Sequence, residues 1–385
     1  MQGLDQYDYD LPTELIAKEP ATPRDSSRLF VYDTASDTVT FDAFSNIGEY
    51  LPPKTLLVMN DTKVVPARLW LTKETGGKIE VLLFMNELAI QGPPLNSRAG
   101  LEFPTIKGIV DRKVDVGAKL YFKHNEVNKE FNEGLTFKSL EVVHQEEQFF
   151  FFKPSVSLPE VYLLLEKEGV TPIPPYIKES PLNESTLREK YQSIFAKNPA
   201  SVAAPTASLH FTPELMEKLE ERGVDKTFVT LHVGAGTFAP IDEKNFQNKK
   251  LFTEYYEVSE ESAKKINAAK NSDVKIIPVG TTACRTLESA VRFSAEARPP
   301  RDAEASPQQL HPNSGPTDIF IFPPYEFKIA DGLITNFHIP KSSLMLLVDA
   351  LLENKKAKRH ILDLYKIAIE NKFRFYSFGD AMLIV

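Results

Sequence analysis

Two short segments gather small residues and histidines where neither a helix face nor a strand alternation explains them: SVAAPTASLHFT over residues 201–212 and LHVGAGTF over residues 231–238. Gly234, Gly236 and the alanines let main chain approach a bound molecule, Thr206 supplies a hydroxyl, and His210 and His232 can carry protons near neutral pH. NDTKVVPARL brings Asn60, Asp61, Lys63 and Arg68 together after an apolar strand, and LITNFHIPKSSLMLL sets Asn336, His338 and Lys341 before an apolar helix. In VGTTACRTLES a strand turns into a helix near Thr281, with Arg285 three residues before Glu288 on one face. The open N–H groups of such a helix start suit a carboxylate or a sugar hydroxyl. FGDAMLIV adds Asp380 directly before a strand. Read singly, each segment is equally a packed imidazole, a capped turn or a surface ion pair worth at most about 0.5 kcal/mol.

The elements that must hold these residues change texture along the chain. An α/β fold is expected, in which a large mixed-sheet domain, residues 1–67 and 155–385, carries an inserted small β-barrel domain over residues 68–154. The inserted block consists of short strand-like runs such as IEVLLFM and QFFFFK without a helix period. After it, a short helix over residues 160–168 ends at Gly169, and TPIPPYI follows as a rigid extended connector. Thr212 before Pro213 caps a helix, PELMEKLEER, that joins the two histidine segments. Residues 292–316, rich in Pro, Ser, Ala and charge, read as a mobile loop. Beyond them lie TDIFIF, a buried helix from Ser343, a helix near residues 361–371, and two terminal strands, FRFYSF and MLIV.

Bulk composition excludes several functions. The single cysteine, Cys284, rules out an intramolecular disulfide or a multi-cysteine metal site, and no metal is expected. Zinc-protease and serine-hydrolase motifs are missing, and VGAGTF lacks the third glycine and the following long helix of a dinucleotide loop. A net charge of −8 argues against nonspecific coating of nucleic acid, so any RNA contact must be a local basic patch that weakens with salt. The densest basic run, Lys355, Lys356, Lys358, Arg359 and His360, reads as solvated surface. A cytoplasmic monomer without membrane contact is expected.

In order along the chain, YDYDLPTELIAKEP with RDSSRL, LLVMNDTKVVPARL, PIPPYI, YQSIFAKNPASVAAPTASLHFT, LHVGAGTFAPI, VGTTACRTLES, TDIFIF, LITNFHIPKSSLMLLVDALL and FRFYSFGDAMLI resemble one family, the S-adenosylmethionine:tRNA ribosyltransferase-isomerases of the queuosine pathway. The resemblance covers nearly the whole chain and implies a large α/β domain with a barrel insertion. It implies no permanently bound cofactor, S-adenosylmethionine as co-substrate, and as partner a tRNA carrying 7-aminomethyl-7-deazaguanine at the wobble position. The ribosyl part of the donor would pass to that base, giving epoxyqueuosine and releasing adenine and methionine. Asp61, His210, His232 and His338 would then move protons. Asn60, Lys63, Arg68, Thr206, Gly234, Gly236, Thr281, Arg285, Glu288, Asn336 and Asp380 would bind substrate, with Arg285 and Glu288 on the donor's carboxylate and ammonium or its ribose.

The chain also departs from the family pattern. It has Ser208 where the family usually has glycine, Leu251-Phe252-Thr253-Glu254 in place of Met-His-Ser-Glu, Pro323-Pro324-Tyr325 in place of Pro-Gly-Tyr, and a longer loop after Arg292. These differences keep open a catalytically silent relative that binds tRNA or nucleoside. An ordinary methyltransferase rests on VGAG alone and predicts S-adenosylhomocysteine as product.

Overall fold

The computed structural model describes residues 4–90, 104–123, 138–177, 180–237, 241–297 and 309–385. In chain order the strands are β1 Arg28–Asp33, β2 Thr38–Ala43, β3 Thr55–Asn60, β4 Thr62–Val64, β5 Arg68–Lys73, β6 Lys78–Phe84, β7 Ile106–Val110, β8 Lys119–Tyr121, β9 Ser139–Glu146, β10 Phe149–Pro154, β11 Asn198–Ser201, β12 Asp225–His232, β13 Lys250–Val258, β14 Lys275–Val279, β15 Asn313–Ile319, β16 Leu333–Asn336 and β17 Ala381–Ile384. The α-helices are α1 Asn86–Ile90, α2 Leu158–Glu168, α3 Glu184–Lys190, α4 Pro213–Glu221, α5 Glu243–Asn248, α6 Glu260–Lys270, α7 Thr281–Ala297, α8 Ser343–Asn354 and α9 Ile361–Glu370.

Nine strands form one mixed sheet in the order β15-β13-β12-β3-β14-β16-β17-β1-β2. Its centre is parallel, β12 with β3, β3 with β14 and β14 with β16, and so is β17 with β1, while β15–β13, β13–β12, β16–β17 and β1–β2 are antiparallel. TLLVMN in β3 is buried at every position because alternate residues meet two cores. Leu57 and Met59 pack with Leu215 and Leu219 of α4 on one face, and Leu56 and Val58 pack with Ile266 of α6 and Leu287 of α7 on the other. Helix α8 is buried along its length, and its Asp349 is tolerated because the Tyr7 hydroxyl donates to it at 2.8 Å with His360 Nε2 at 3.2 Å.

The remaining long run of strands closes into an antiparallel barrel, β10-β7-β6-β5-β8-β9, around Leu69, Ile79, Val81, Leu120, Val142 and Phe152. Chain entering and leaving it runs side by side, with Arg68 and Val170 exchanging backbone hydrogen bonds. A Cβ on Gly169 would lie 1.8 Å from the Pro66 carbonyl oxygen, so only glycine fits this crossing. Helix α2 starts at a Ser157–Glu160 capping box and α4 at the Thr212 hydroxyl, as the local residues dictate.

Four local expectations need correction. Residues 292–297 continue α7 and residues 313–316 belong to β15, because β15 pairs along β13, while residues 298–308 lie outside the described residues. FRFYSF makes only a bridge from Phe375 to Ile16 rather than a strand. TDIFIF leaves the sheet at Ile319, and TPIPPYI ends in a 3-10 turn, Pro175–Ile177, instead of a fully extended connector.

Candidate functional site

Strands β14 and β16 are parallel neighbours, and the chain leaves both at the same edge of the sheet, where open α/β sheets characteristically hold ligands. After β14, Gly280 turns the chain at φ 89° into α7; after β16, Asn336-Phe337-His338-Ile339-Pro340 leads to the Ser342 cap of α8. Between these ends lies a cavity of about 390 Å³, closed by residues 203–207 and by Tyr176 and Tyr376. Thr206, Thr281, Arg285, Asn336 and His338 all line it. A second cavity of about 360 Å³ adjoins it, lined by Gly236, Phe252, Lys341 and Ser343 and sharing Glu254 and Arg285 with the first.

Arg285 sits at the junction with a side chain only 10% exposed. Its Nη1 donates to Glu254 Oε2, Glu254 Oε1 accepts the Gly234 N–H at 3.1 Å, and Arg285 Nε and Nη2 have no partner. Asn336 gives its amide N–H groups to the Tyr376 carbonyl at 3.2 Å and to His210 Nε2 at 3.3 Å, which leaves its Oδ1 without a donor. His338 is fixed from three sides: Nε2 meets the Thr335 hydroxyl at 2.8 Å, its N–H donates to the Tyr365 hydroxyl at 2.8 Å, and its carbonyl accepts from Tyr9.

The three histidines do not share one space. His210 lies one hydrogen bond behind Asn336, with Nδ1 at 2.8 Å from the Ser27 hydroxyl. His232 closes β12, pairs with the Thr62 hydroxyl at 2.8 Å and stacks near Tyr255. Burial pushes His210 and His232 down to about 4 and His338 to about 3, so all three imidazoles are neutral at neutral pH.

Several expected contacts lie elsewhere. Asp61 opens onto a separate groove of about 1150 Å³ between α4 and α6, where the Thr230 hydroxyl donates to it at 2.6 Å and Asn198 at 3.1 Å. Burial raises its carboxyl. Asn60 braces Leu231 and Thr62, Lys63 is exposed, and Arg68 pairs with Glu80 at 2.6 Å on the barrel. Asp380 is held by the Arg374 guanidinium and by backbone N–H groups of Arg28 and Arg374. Glu288 lines neither cavity; it accepts from Tyr325 and from the N–H groups of Lys328, Ile329 and Ala330. Gly234 serves Glu254 through its N–H, and Gly236 borders the second cavity.

Of the departures from the family pattern, Ser208 is accommodated at negative φ in the 3-10 turn Thr206–His210, so no glycine conformation is required there. Pro324 lies outside both cavities. Phe252 does border the second one, packing edge-on to Phe149 of the barrel at 5.9 Å. Sequence reasoning missed Glu254, Tyr176 and Tyr376. Glu254 had a readable signal: it shares a strand face with buried Tyr256 and Val258, where a charged residue needs a partner.

A mixed α/β sheet with a ligand-sized cavity at its strand ends, carrying a closed barrel between two of its strands, defines a two-part enzyme scaffold. The profile of the queuosine biosynthesis proteins matches residues 4–384. Curated relatives named S-adenosylmethionine:tRNA ribosyltransferase-isomerase are 40% identical in Caldanaerobacter subterraneus subsp. tengcongensis and 41% identical in Thermotoga petrophila, each alignment covering 99% of both chains. A solved structure of an S-adenosylmethionine tRNA ribosyltransferase from Thermotoga maritima is 32% identical over 99% of this chain and 100% of that chain, with a TM-score of 0.49. The chain belongs to the queuosine biosynthesis protein family, and it is an enzyme. Among the described residues no group of His, Cys, Asp and Glu could hold a metal, and no helix is long and apolar enough to cross a membrane.

Proposed function

We propose that the protein transfers and rearranges the ribosyl moiety of S-adenosylmethionine onto 7-aminomethyl-7-deazaguanine at the wobble position of tRNA, giving epoxyqueuosine and releasing adenine and methionine. The observation that carries this reading is the gathering of Thr206, Thr281, Arg285, Asn336 and His338, from three distant segments, around one cavity in a chain whose relatives of that name match end to end. The sulfonium acidifies the hydrogens on the ribose 5′ carbon, so a neutral base beside it can remove one and trigger loss of adenine. His338 is that base. The Thr335 hydroxyl engages Nε2, which leaves Nδ1 as the ring nitrogen to receive the substrate proton. The imidazolium so formed is the acid that protonates departing adenine, because burial keeps the His338 imidazole neutral at the start. The aminomethyl nitrogen then attacks the sugar, and ring rearrangement with epoxide closure expels methionine. His210 holds Asn336 in the cavity wall, and His232 braces the β3–β4 turn.

The test is incubation with S-adenosylmethionine and a tRNA bearing the aminomethyl base, followed by chromatography of small molecules and nucleosides. Equimolar adenine, methionine and epoxyqueuosine are expected. S-adenosylhomocysteine would mark a methyltransferase, and no turnover at saturation would mark a silent relative.

A further inference from the structure

We infer that Tyr9, near the start of the chain, is the positioning residue for His338: its hydroxyl fixes the peptide that carries the base, and the N-terminal segment is thereby part of the catalytic apparatus. The inference rests on the assignment of His338 made above and adds to it a residue that touches no substrate.

The stretch that presents His338 is not held by regular structure. It runs from the end of β16 at Asn336 to the Ser342 cap of α8, and Pro340 within it has no N–H to give. Its position is set by hydrogen bonds from distant parts of the chain. The Tyr365 hydroxyl accepts from the His338 N–H at 2.8 Å, and the Tyr9 hydroxyl donates to the His338 carbonyl. Two phenols thus grip the peptide groups on either side of one Cα. Tyr365 comes from α9 and is fully buried, whereas Tyr9 belongs to no helix or strand.

The N-terminal segment is tied to the same stretch at further points. The Lys341 N–H donates to the Tyr7 carbonyl at 3.1 Å, and its ammonium meets Asp5 at 3.2 Å and Asp8 at 2.8 Å. Those ion pairs lie at the surface and contribute little, so the neutral bonds carry the attachment. Leu4 and Asp5 reach the second cavity beside Ile339 and Lys341, while Tyr9 lines neither cavity.

The hydroxyl does what the ring alone would not. The Tyr9 ring meets Tyr365 edge-on at 5.2 Å and Phe375 at 6.0 Å, contacts that a phenylalanine would keep. Its hydroxyl reaches the His338 carbonyl and also interacts with the hydroxyl of Tyr376. Tyr376 lines the cavity with its backbone at φ 72°, a left-handed conformation that a bulky residue keeps only when its surroundings impose it. One phenol therefore braces both the base and a cavity wall. Burial pushes that phenol up from its ordinary value, so it stays a protonated donor at every working pH.

Adenine release from S-adenosylmethionine and from the donor deuterated at the ribose 5′ carbon, with tRNA bearing the aminomethyl base, tests the inference on Tyr9→Phe. The variant should lose about 10–30-fold in kcat with KM for the donor within about threefold, because the base is displaced while the cavity remains. The rate ratio between the two donors should also rise above that of wild type, since proton removal becomes the slower step. That ratio is taken on one sample and is blind to the folded fraction. Tyr7→Phe is the control: it removes a buried hydroxyl from the same segment, bonded to Asp349 and lining neither cavity, and should leave kcat and the ratio within about twofold. A Tyr9→Phe kcat within twofold of wild type overturns the inference. So does a fall in kcat with an unchanged ratio, or an equal change in Tyr7→Phe, either of which makes Tyr9 a folding residue. If His338→Ala releases adenine as fast as wild type, the base is misassigned and the inference falls with it. A wild type that releases no adenine sinks the donor reading itself.

Discussion

Helix α7 carries two buried charges three residues apart, and they have opposite fates. Glu288 is saturated: three backbone N–H groups and the Tyr325 hydroxyl converge on it, and burial still pushes its carboxyl upward. Arg285, one turn round the same helix, is half-satisfied and borders two cavities. A saturated buried charge organises the chain around itself, while Arg285 ties α7 to β13 through Glu254 at the wall of both cavities. The residue types and their spacing are symmetrical in this respect; the hydrogen-bond inventory is not.

The comparison can be broken most sharply at the cavity itself. His338→Ala should lower kcat by about 10²–10⁴-fold with little change in KM, measured by adenine release from folded enzyme. His232→Ala, which removes no cavity-lining group, should cost less than tenfold. Equal losses would erase the distinction between them. On the saturated side, Glu288→Ala strips the acceptor from three buried N–H groups and should destabilise the protein by about 3 kcal/mol in urea unfolding, with kcat/KM of the folded fraction within about threefold of wild type. A stable but inactive Glu288→Ala would reverse the roles of the two charges.

A pH series sharpens the same contrast at smaller amplitude. Burial lowers the three histidines from 6.5 to about 4, 4 and 3, so below pH 6.5 the unfolded chain binds protons that the folded one refuses. Stability is therefore lost as pH falls from 6.5 towards 4, by up to about 1.4 kcal/mol per pH unit for each histidine, and urea midpoints at pH 7.5, 6 and 5 should show it. Asp61 and Glu288 have raised carboxyls and act in the opposite sense, holding protons in the folded state that the unfolded chain releases, which offsets part of the loss. Catalysis should not follow the 6.5 value: with the base already neutral, kcat/KM should stay within about twofold between pH 7.5 and 5.5 while the protein is folded. A titration near 6.5 in the rate would show that the base is an exposed imidazole. The smallest effect belongs to Thr282→Val, a few-fold rise in KM for the donor, because one unpartnered hydroxyl is removed without loss of shape.

Much of the scaffold was legible because local residues dictate it. Thr212-Pro213 starts α4, Ser157 with Glu160 starts α2, and TLLVMN is apolar at alternate and intervening positions because both faces of β3 are covered. Five site residues could be named from composition and turn chemistry because they sit at strand ends beside glycine, proline or a cap. What decides between Arg285 and Glu288 is not local: the N–H groups that satisfy Glu288 come from residues 328–330, and Glu254, which ties up one edge of Arg285, lies thirty-one positions earlier. Asp61 was misleading for the same reason, since only the fold reveals that Asn198 and Thr230 hold it in a different groove. Tyr176 and Tyr376 were hidden in segments that read as a connector and a strand, and meet only when the chain closes.

The central claim is where the donor lies, and a crystal structure of the protein with S-adenosylmethionine bound tests it most directly. The donor should fill the cavity between β14 and β16, with its ribose 5′ carbon beside His338. Density for the donor in the groove at Asp61, with none in the cavity beside His338, would contradict the account.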